Sequence, residues 1–148
     1  MKLSTKGRYG VRAMFDLVLQ QGEGPIPLKE IAERQKISEN YLEQLIAVLK
    51  NDGLVKSVRG AYGGYLLAKS PDKISIGDII RALEGPVAFA DCVEGESCEF
   101  KNDCVIELIW QEIKQEIDGI LDSFTLEDLQ QKVVKVKNDN KHRNMYYI

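Results

Sequence analysis

The sequence predicts a mainly α-helical protein with one small β-hairpin near the middle of the chain. In the first half, apolar residues recur at helical spacing in three successive segments, and the period then changes to short strand-like runs around a glycine-rich hexapeptide at 59–64. In the second half, a long apolar stripe from Val105 to Leu121 returns to helical spacing. A chain of 148 residues with 44% hydrophobic residues is long enough to bury a core without disulfides.

The first predicted helix ends at Gly22-Glu23-Gly24-Pro25, a sequence that disfavours helix. Ser4 or Thr5 is placed to cap its start. Four residues at i, i+3, i+4 and i+7 form its predicted inward face, namely Val11, Met14, Phe15 and Val18.

Two further helices follow closely. A short second helix is predicted from Leu28, with Ile31 and Ala32 facing inward. Ser38 is a good N-cap for a third helix, and Gly53 suits the left-handed position after its end. The inward face of this third helix is predicted to be Leu42, Leu45, Ile46 and Leu49.

Two strand-like runs, 54–58 and 65–68, flank the hexapeptide Arg59-Gly60-Ala61-Tyr62-Gly63-Gly64. Its three glycines allow a tight tip that can approach another backbone closely. Three helices followed by such a hairpin is the element order of a winged helix-turn-helix domain, which we predict for residues 1–84. The alternative is a small α+β domain with no nucleic-acid function.

The second half predicts a different organisation. Ser75 is placed to cap a fourth helix, which Gly85-Pro86 ends, and residues 85–104 form a segment with all three cysteines. Residues 105–148 are predicted to hold a long dimerisation helix and a tail, because the apolar stripe favours a second copy of the same helix as its partner. Thr125 is predicted to cap a short last helix ending near Val134, followed by a loose polar tail to Tyr147.

Charge is distributed unevenly. The formal net charge is −3, but residues 1–83 carry net +4 and residues 84–148 net −7, which indicates one surface suited to phosphates. No apolar run approaches the roughly 18 residues that a membrane span needs. With no signal peptide and an odd number of cysteines, we expect reduced thiols and a cytoplasmic location. The lone histidine, His142, and the absence of a nucleophile motif argue against an enzyme.

The outward face of the third helix is the predicted DNA-recognition surface. Asparagine and glutamine pair with adenine edges, and glutamate accepts from cytosine. An ordinary solvated helix face is the alternative. The outward residues are expected to be Glu39, Asn40, Tyr41, Glu43, Gln44 and Ala47.

The hairpin tip and the basic residues complete this surface. Arg59 beside Gly60 is suited to a narrow minor groove, and Tyr62 either packs on sugars or on its own hairpin. Phosphate contacts are expected from Lys2, Lys6, Arg8 and Lys50. The complete predicted DNA-binding set is Lys2, Ser38, Asn40, Tyr41, Glu43, Gln44, Arg59, Gly60 and Tyr62.

Cys92, Cys98 and Cys104 have the spacing C-x5-C-x5-C, which matches neither zinc-site pairs nor common ferredoxins. Acidic residues surround them, so the segment repels itself unless a cationic centre binds. This favours metal or cluster binding over three unliganded thiols. Soft thiolates suit iron–sulfur, zinc or copper(I), and the spacing alone does not choose among them.

The chain resembles the IscR–NsrR–CymR family of bacterial winged-helix transcription regulators along essentially its whole length. Three motifs carry the resemblance: the opening 3–10, LSTKGRYG, the recognition-helix segment 38–45, SENYLEQL, and the wing 58–65, VRGAYGGY. The resemblance implies a homodimer that binds pseudo-palindromic promoter DNA, as a repressor, with Asn40, Glu43 and Arg59 at positions used for DNA contact.

The three cysteines resemble those of the branches similar to IscR, which hold a [2Fe-2S] cluster and sense cluster supply, and to NsrR, whose cluster nitric oxide destroys. A [4Fe-4S] cluster is the alternative. The front half and the ending Tyr147-Ile148 are more similar to CymR, which lacks the cysteines and controls cysteine metabolism in complex with cysteine synthase. The C-terminal tail is the candidate docking segment for that partner.

The fourth cluster ligand is where the chain departs from these patterns. The IscR type has a histidine three residues after the third cysteine, where this chain has Glu107, and the NsrR type has an N-terminal acidic residue, where this chain has Arg8. Glu107 lies one helical turn beyond Cys104, so we predict it as the fourth ligand. Weaker candidates are His142, Asp91 and Asp103.

Overall fold

The computed structural model describes residues 2–88, 90–94 and 104–145. Across these residues it shows a helical protein with one two-stranded antiparallel sheet, which confirms the predicted fold class. In chain order the elements are α1 (Thr5–Leu19), α2 (Leu28–Gln35), α3 (Glu39–Asn51), β1 (Val55–Val58), β2 (Gly64–Leu67), α4 (Ile76–Glu84), α5 (Val105–Ser123) and α6 (Leu126–Met145).

The core lies where α1 packs against α3 and α4. Within the predicted inward face of α1, Met14 and Val18 are fully buried, and Val11 and Phe15 are half-buried and pack against the core. The buried side also includes Gly7 and Gly10, which allow α4 to approach closely. A Cβ on Gly10 would lie 1.9 Å from Leu83 Cδ1, so contact with α4 sets the rotation of α1. The buried apolar residues of α1 are Ala13, Met14, Leu17 and Val18.

A buried carboxylate joins α1 to α2. Asp16 is 2% exposed and accepts two hydrogen bonds from the Arg34 guanidinium, from Nη2 to Oδ1 at 2.8 Å and from Nε to Oδ2 at 3.0 Å. Gln35 Nε2 donates a third bond to Asp16 Oδ2 at 3.0 Å. The hydrogen bond to Asp16 raises the pKa of the Arg34 guanidinium, and this contact fixes α2 ahead of the third helix.

Removing this carboxylate tests the strength of the connection. Asp16→Ala is expected to lower the free energy of unfolding by about 2 kcal/mol, since it removes the charged hydrogen bonds that join α1 to α2 while the exposed Arg34 remains solvated. The measurement is urea unfolding followed by circular dichroism. Glu30→Ala is the matched control, because Glu30 also contacts Arg34 but is largely exposed, and it should cost less than about 0.5 kcal/mol. Equal losses for the two variants would contradict this interpretation.

The predicted helix caps are confirmed at the third and fourth helices. Ser38 Oγ accepts from the backbone N–H of Tyr41 at 3.3 Å, and Gly53 follows the end of α3 with φ of +79°. Ser75 and Asp78 form a reciprocal capping box at the start of α4. These caps fix the start and end of α3 and the start of α4, the helices that flank the hairpin.

The hairpin is anchored to the segment before α2. Its register pairs Val55 with Leu67 and Val58 with Gly64. Ile26 and Tyr65 exchange two backbone hydrogen bonds, and a Cβ on Gly64 would lie 2.4 Å from the Ile26 carbonyl. Only glycine permits this approach, so the base of the wing is held against the domain.

Helix α6 is longer than predicted. The expected short helix to Val134 and the loose tail after it were wrong, because α6 continues to Met145, and residues 146–148 lie outside the described part of the chain. The prediction relied on apolar periodicity, whereas residues 135–145 lack glycine and proline and need no apolar face to be helical. Thr125 caps the helix as predicted, with Asp128 N donating to its hydroxyl at 3.2 Å.

The start of α6 should respond to acid. The Thr125 backbone N–H donates to Asp128 Oδ2 at 2.9 Å and lowers the pKa of Asp128. A carboxyl with a lowered folded-state pKa stabilises the fold above its unfolded pKa, near 3.8, and that contribution disappears as the pH falls through the folded value. In urea unfolding between pH 7 and 2, Asp128→Asn should therefore flatten the acid limb of the stability curve. Glu127→Gln, in the same helical turn, should leave it as in the wild type, and identical curves for the two variants would contradict the assignment.

Candidate DNA-binding surface and cysteine segment

Helix α3 presents a polar face to solvent. Its apolar side is buried, which leaves the predicted base-contacting side chains Asn40, Glu43 and Gln44 exposed. Glu39 and Ala47 share this exposed side, and Ser38 caps it at the end where base contacts are made in helix-turn-helix domains. The face offers both paired donors and acceptors for adenine and a carboxylate acceptor for cytosine.

Tyr41 does not belong to this exposed face, contrary to the prediction. It is half-buried against the core, and its ring lies edge-on to Tyr9 of α1, with centroids 6.0 Å apart. The Arg12 guanidinium lies 5.3 Å from the Tyr9 ring centroid. Tyr41 therefore joins the recognition helix to α1, since a tyrosine at this position is large enough to reach the neighbouring helix.

The wing places its polar groups in solvent. Arg59 is exposed, and Gly60 next to it has φ of +116°, which L side chains rarely adopt. Tyr62 is 94% exposed, so it does not pack on its own hairpin. An exposed guanidinium and a phenol at the tip of an anchored hairpin can reach a groove and its sugars.

The N-terminal turn of α1 carries the predicted phosphate contacts. Lys2, Lys6 and Arg8 are all exposed. The turn is capped by Glu84 from the end of α4, whose carboxylate accepts from the backbone N–H groups of Ser4 at 2.8 Å and Gly7 at 3.3 Å.

Sequence reasoning missed Glu84. It predicted Ser4 or Thr5 as the cap, whereas Ser4 occupies the cap position without a capping bond to the helix and its hydroxyl donates to Glu84. No local pattern identifies a cap 80 residues away along the chain. Because Glu84 immediately precedes the cysteine segment, it links that segment to the basic N-terminal turn.

The Glu84 cap is testable by substitution. Glu84→Ala should lower the free energy of unfolding by about 1 kcal/mol, the usual cost of removing a helix N-cap. Urea unfolding measures this loss, and Glu112→Ala on an exposed part of α5 serves as the matched control. An unchanged unfolding midpoint for Glu84→Ala would show that the carboxylate does not cap α1.

Two of the three cysteines lie in the described residues. Cys92 belongs to a short 3-10 turn, Asp91–Glu94, that packs against α5, and Cys104 occupies the N-cap position of α5. Both are half-buried free thiols. Cys98 and Asp103 lie outside the described residues.

Glu107, the predicted fourth ligand, is half-buried in the first turn of α5, and its backbone N–H donates to the Cys104 carbonyl at 3.2 Å. Its Oε1 accepts from Gln111 Nε2 at 3.2 Å, which leaves the second carboxylate oxygen available. His142 is exposed on α6. Within residues 2–88, 90–94 and 104–145, no three histidine, cysteine or acidic side chains converge at one point as a metal site would need.

None of the described helices combines the length and the apolar character that crossing a lipid bilayer requires.

Comparisons with known proteins agree with this architecture. The profile of the Rrf2 family, described as iron-dependent transcriptional regulator, matches residues 3–132. The chain is 50% identical over 129 residues to the HTH-type transcriptional regulator CymR of Bacillus subtilis. The aligned residues cover 87% of this chain and 89% of that protein.

Solved structures give the same result. The chain is similar to CymR (YrzC), the global cysteine regulator of B. subtilis, with a TM-score of 0.76, 48% identity and coverage of 89% of this chain and 98% of that one. It is also similar to T. potens IscR, with a TM-score of 0.73, 53% identity and coverage of 90% and 88%.

The fold, the exposed recognition helix and the wing define a DNA-binding transcription regulator of the winged helix-turn-helix class, and not an enzyme. Within that class, the chain belongs to the Rrf2 family.

Proposed function

We propose that this protein is a cytoplasmic, homodimeric repressor that binds pseudo-palindromic promoter DNA and senses iron–sulfur cluster status through Cys92, Cys98 and Cys104. It would control genes of cluster biogenesis or related functions. The proposal rests on one combined observation: the recognition helix is exposed, and the free thiols Cys92 and Cys104 lie on the 3-10 turn and at the start of α5, which contact each other.

The proposed DNA contacts follow from exposure and chemistry. Asn40, Glu43 and Gln44 would contact base edges in the major groove, and Arg59 would enter the minor groove. Ser38, Gly60 and Tyr62 complete the contact surface, with Lys2 on phosphate. Tyr41 would act through Tyr9 by holding α3 in place.

The proposed dimer rests on α5. None of its residues is fully buried, and the large apolar side chains of its first turns stay in solvent, with Val105 70% and Ile109 52% exposed. A helix with this stripe needs a partner, and a second copy of α5 offers a matching one.

Two thiols on neighbouring elements support the proposal of an iron–sulfur cluster. Cys104 lies at the N-cap of α5, and Cys92 lies on the 3-10 turn packed against the same helix. Cys98 and Glu107 would complete a three-thiolate, one-carboxylate set for a [2Fe-2S] cluster, with [4Fe-4S] as the alternative. When bound, the cluster would supply a site whose loss reports oxidative or nitrosative damage or iron shortage. The chain's own part would be to supply the three thiolates and the carboxylate.

Base contact is tested with a duplex that the wild-type protein selects from random-sequence DNA. Asn40→Ala should weaken binding to this duplex by about 1–3 kcal/mol and leave non-specific binding unchanged, because asparagine contacts a base edge. Lys2→Ala is the control. Loss of a phosphate contact should weaken specific and non-specific binding alike, and it should reduce the slope of log affinity against log salt concentration by about 1. Fluorescence anisotropy measures both, and an Asn40→Ala loss that is equal on all DNA would contradict the proposed role.

Cluster sensing is tested by comparing DNA affinity in different cluster states. Cluster-loaded wild type should differ from cluster-stripped wild type in affinity or site choice, and Cys92→Ala should behave like the stripped protein in both preparations. Anaerobic anisotropy titrations on the selected duplex measure this. One affinity for all samples would show that the cysteines do not regulate DNA binding.

A second candidate function is favoured by the identity with CymR of B. subtilis. In this alternative the repressor controls cysteine metabolism and its signal is cysteine synthase, docked through the C-terminal tail, whose last residues 146–148 lie outside the described part of the chain. An NsrR-like response to nitric oxide is a further alternative for the same cysteines.

Deletion of residues 145–148 separates the partner-based alternative from cluster sensing. If cysteine synthase is the signal, the full-length protein should bind it in isothermal titration calorimetry and the truncated protein should not. Absence of binding by the full-length protein would exclude this alternative.

A further inference from the structure

Helix α5 is joined to the DNA-binding domain at its C-terminal end. Phe124 O accepts from Ile76 N at 2.8 Å, Leu126 N donates to Ile74 O at 2.9 Å, and Leu126 is fully buried in the domain core. From this junction, the 19 residues of α5 extend for about 28 Å at 1.5 Å per residue.

A single guanidinium next to this junction bridges α4 and α5. Arg81 on α4 contacts two aspartates on α5, with Nη1 lying 3.5 Å from Asp118 Oδ1 and Nη2 paired with Asp122. Asp78, one turn earlier on α4, lies 3.6 Å from Nη2. We call these four residues the Arg81 cluster.

The two helices approach closely at the Arg81 cluster. Ser75 Oγ lies 3.4 Å from Asp122 Oδ1, and a Cβ on Gly77 would lie 2.2 Å from the same oxygen. Any residue with a Cβ at position 77 would clash with Asp122, so the glycine permits Asp122 to reach Arg81. Rotation of α5 about its junction would separate Arg81 from Asp118 and Asp122.

We propose that Arg81 is a positioning residue that fixes the angle between the DNA-binding domain and α5 and thereby sets the half-site spacing that the dimer accepts. This inference rests on the proposed function, in which α5 forms the dimer. A rotation of about 7° at the junction moves the far end of a 28 Å helix by about 3.4 Å, the rise of one base pair. The Arg81 cluster therefore lies where a small change in the angle of α5 produces a large change in half-site spacing.

The test uses full-length protein and a series of duplexes. The wild-type-selected duplex is rebuilt with its half-sites one or two base pairs closer or farther apart, alongside a duplex with a single half-site. Anisotropy titrations compare wild type with Arg81→Met, Arg81→Lys and Lys114→Met. Lys114→Met is the matched control, because Lys114 also pairs with Asp118 but lies on α5 itself and joins no second helix.

Wild type should lose about tenfold in affinity for each base pair away from its preferred spacing, since each step also turns the second half-site by about 34°. Arg81→Met should lose only about twofold in affinity for each base pair away from the preferred spacing, and its affinity for the single half-site should be unchanged. Arg81→Lys should fall between the two, and Lys114→Met should retain the wild-type profile.

A wild-type spacing profile in Arg81→Met would overturn the inference, and so would an equal loss on every duplex, which indicates a merely structural role. If Arg81→Met does not fold by circular dichroism, the double variant Asp118→Asn/Asp122→Asn removes the same bridge from α5 and must give the flattened profile. If wild type selects no duplex or elutes as a monomer, the proposed function itself fails, and the inference fails with it.

Discussion

The structure depends on the return of the chain to the DNA-binding domain at residues 124–126, forty residues after the end of α4 at Glu84. Backbone bonds between this turn and Ile74–Ile76, with Leu126 buried in the core, fix where α5 ends and α6 begins. Without this anchor, neither the contact between α4 and α5 nor the direction of α6 would be defined. This junction and Glu84 offer two routes from α5 and the cysteine segment to the DNA-binding domain.

These two routes have different physical character. Glu84 is a hydrogen-bonded cap on the basic turn of α1 and lies next in sequence to the cysteine segment. The anchor at residues 124–126 instead combines backbone hydrogen bonds with the ionic Arg81 cluster, and it lies about 28 Å along α5 from Cys104. In the proposed function, a change in the cysteine segment would act locally on the phosphate contacts through Glu84 and on half-site geometry through α5.

Local signals in the sequence predicted most of the domain. Periodicity and caps located α2, α3 and α4, because Ser38, Gly53 and Ser75 act within their own turns. Long-range contacts were not predictable in this way. Asp16, Glu84 and Arg81 each pair with residues remote in sequence, and the inward turn of Tyr41 depends on Tyr9. The length of α6 was missed because its second half has no apolar stripe.

Within the candidate site, the exposed side of α3 could be predicted from its buried side, whereas the geometry of the cysteine ligands could not be predicted from their spacing.

The central claim is that these cysteines hold an iron–sulfur cluster. The most direct measurement is iron and acid-labile sulfide per chain in anaerobically purified wild type and Cys92→Ala. We expect a coloured wild-type protein with iron and sulfide in equal amounts, and loss of both in the variant. A colourless wild-type protein without iron, or one that holds only zinc, would contradict the claim.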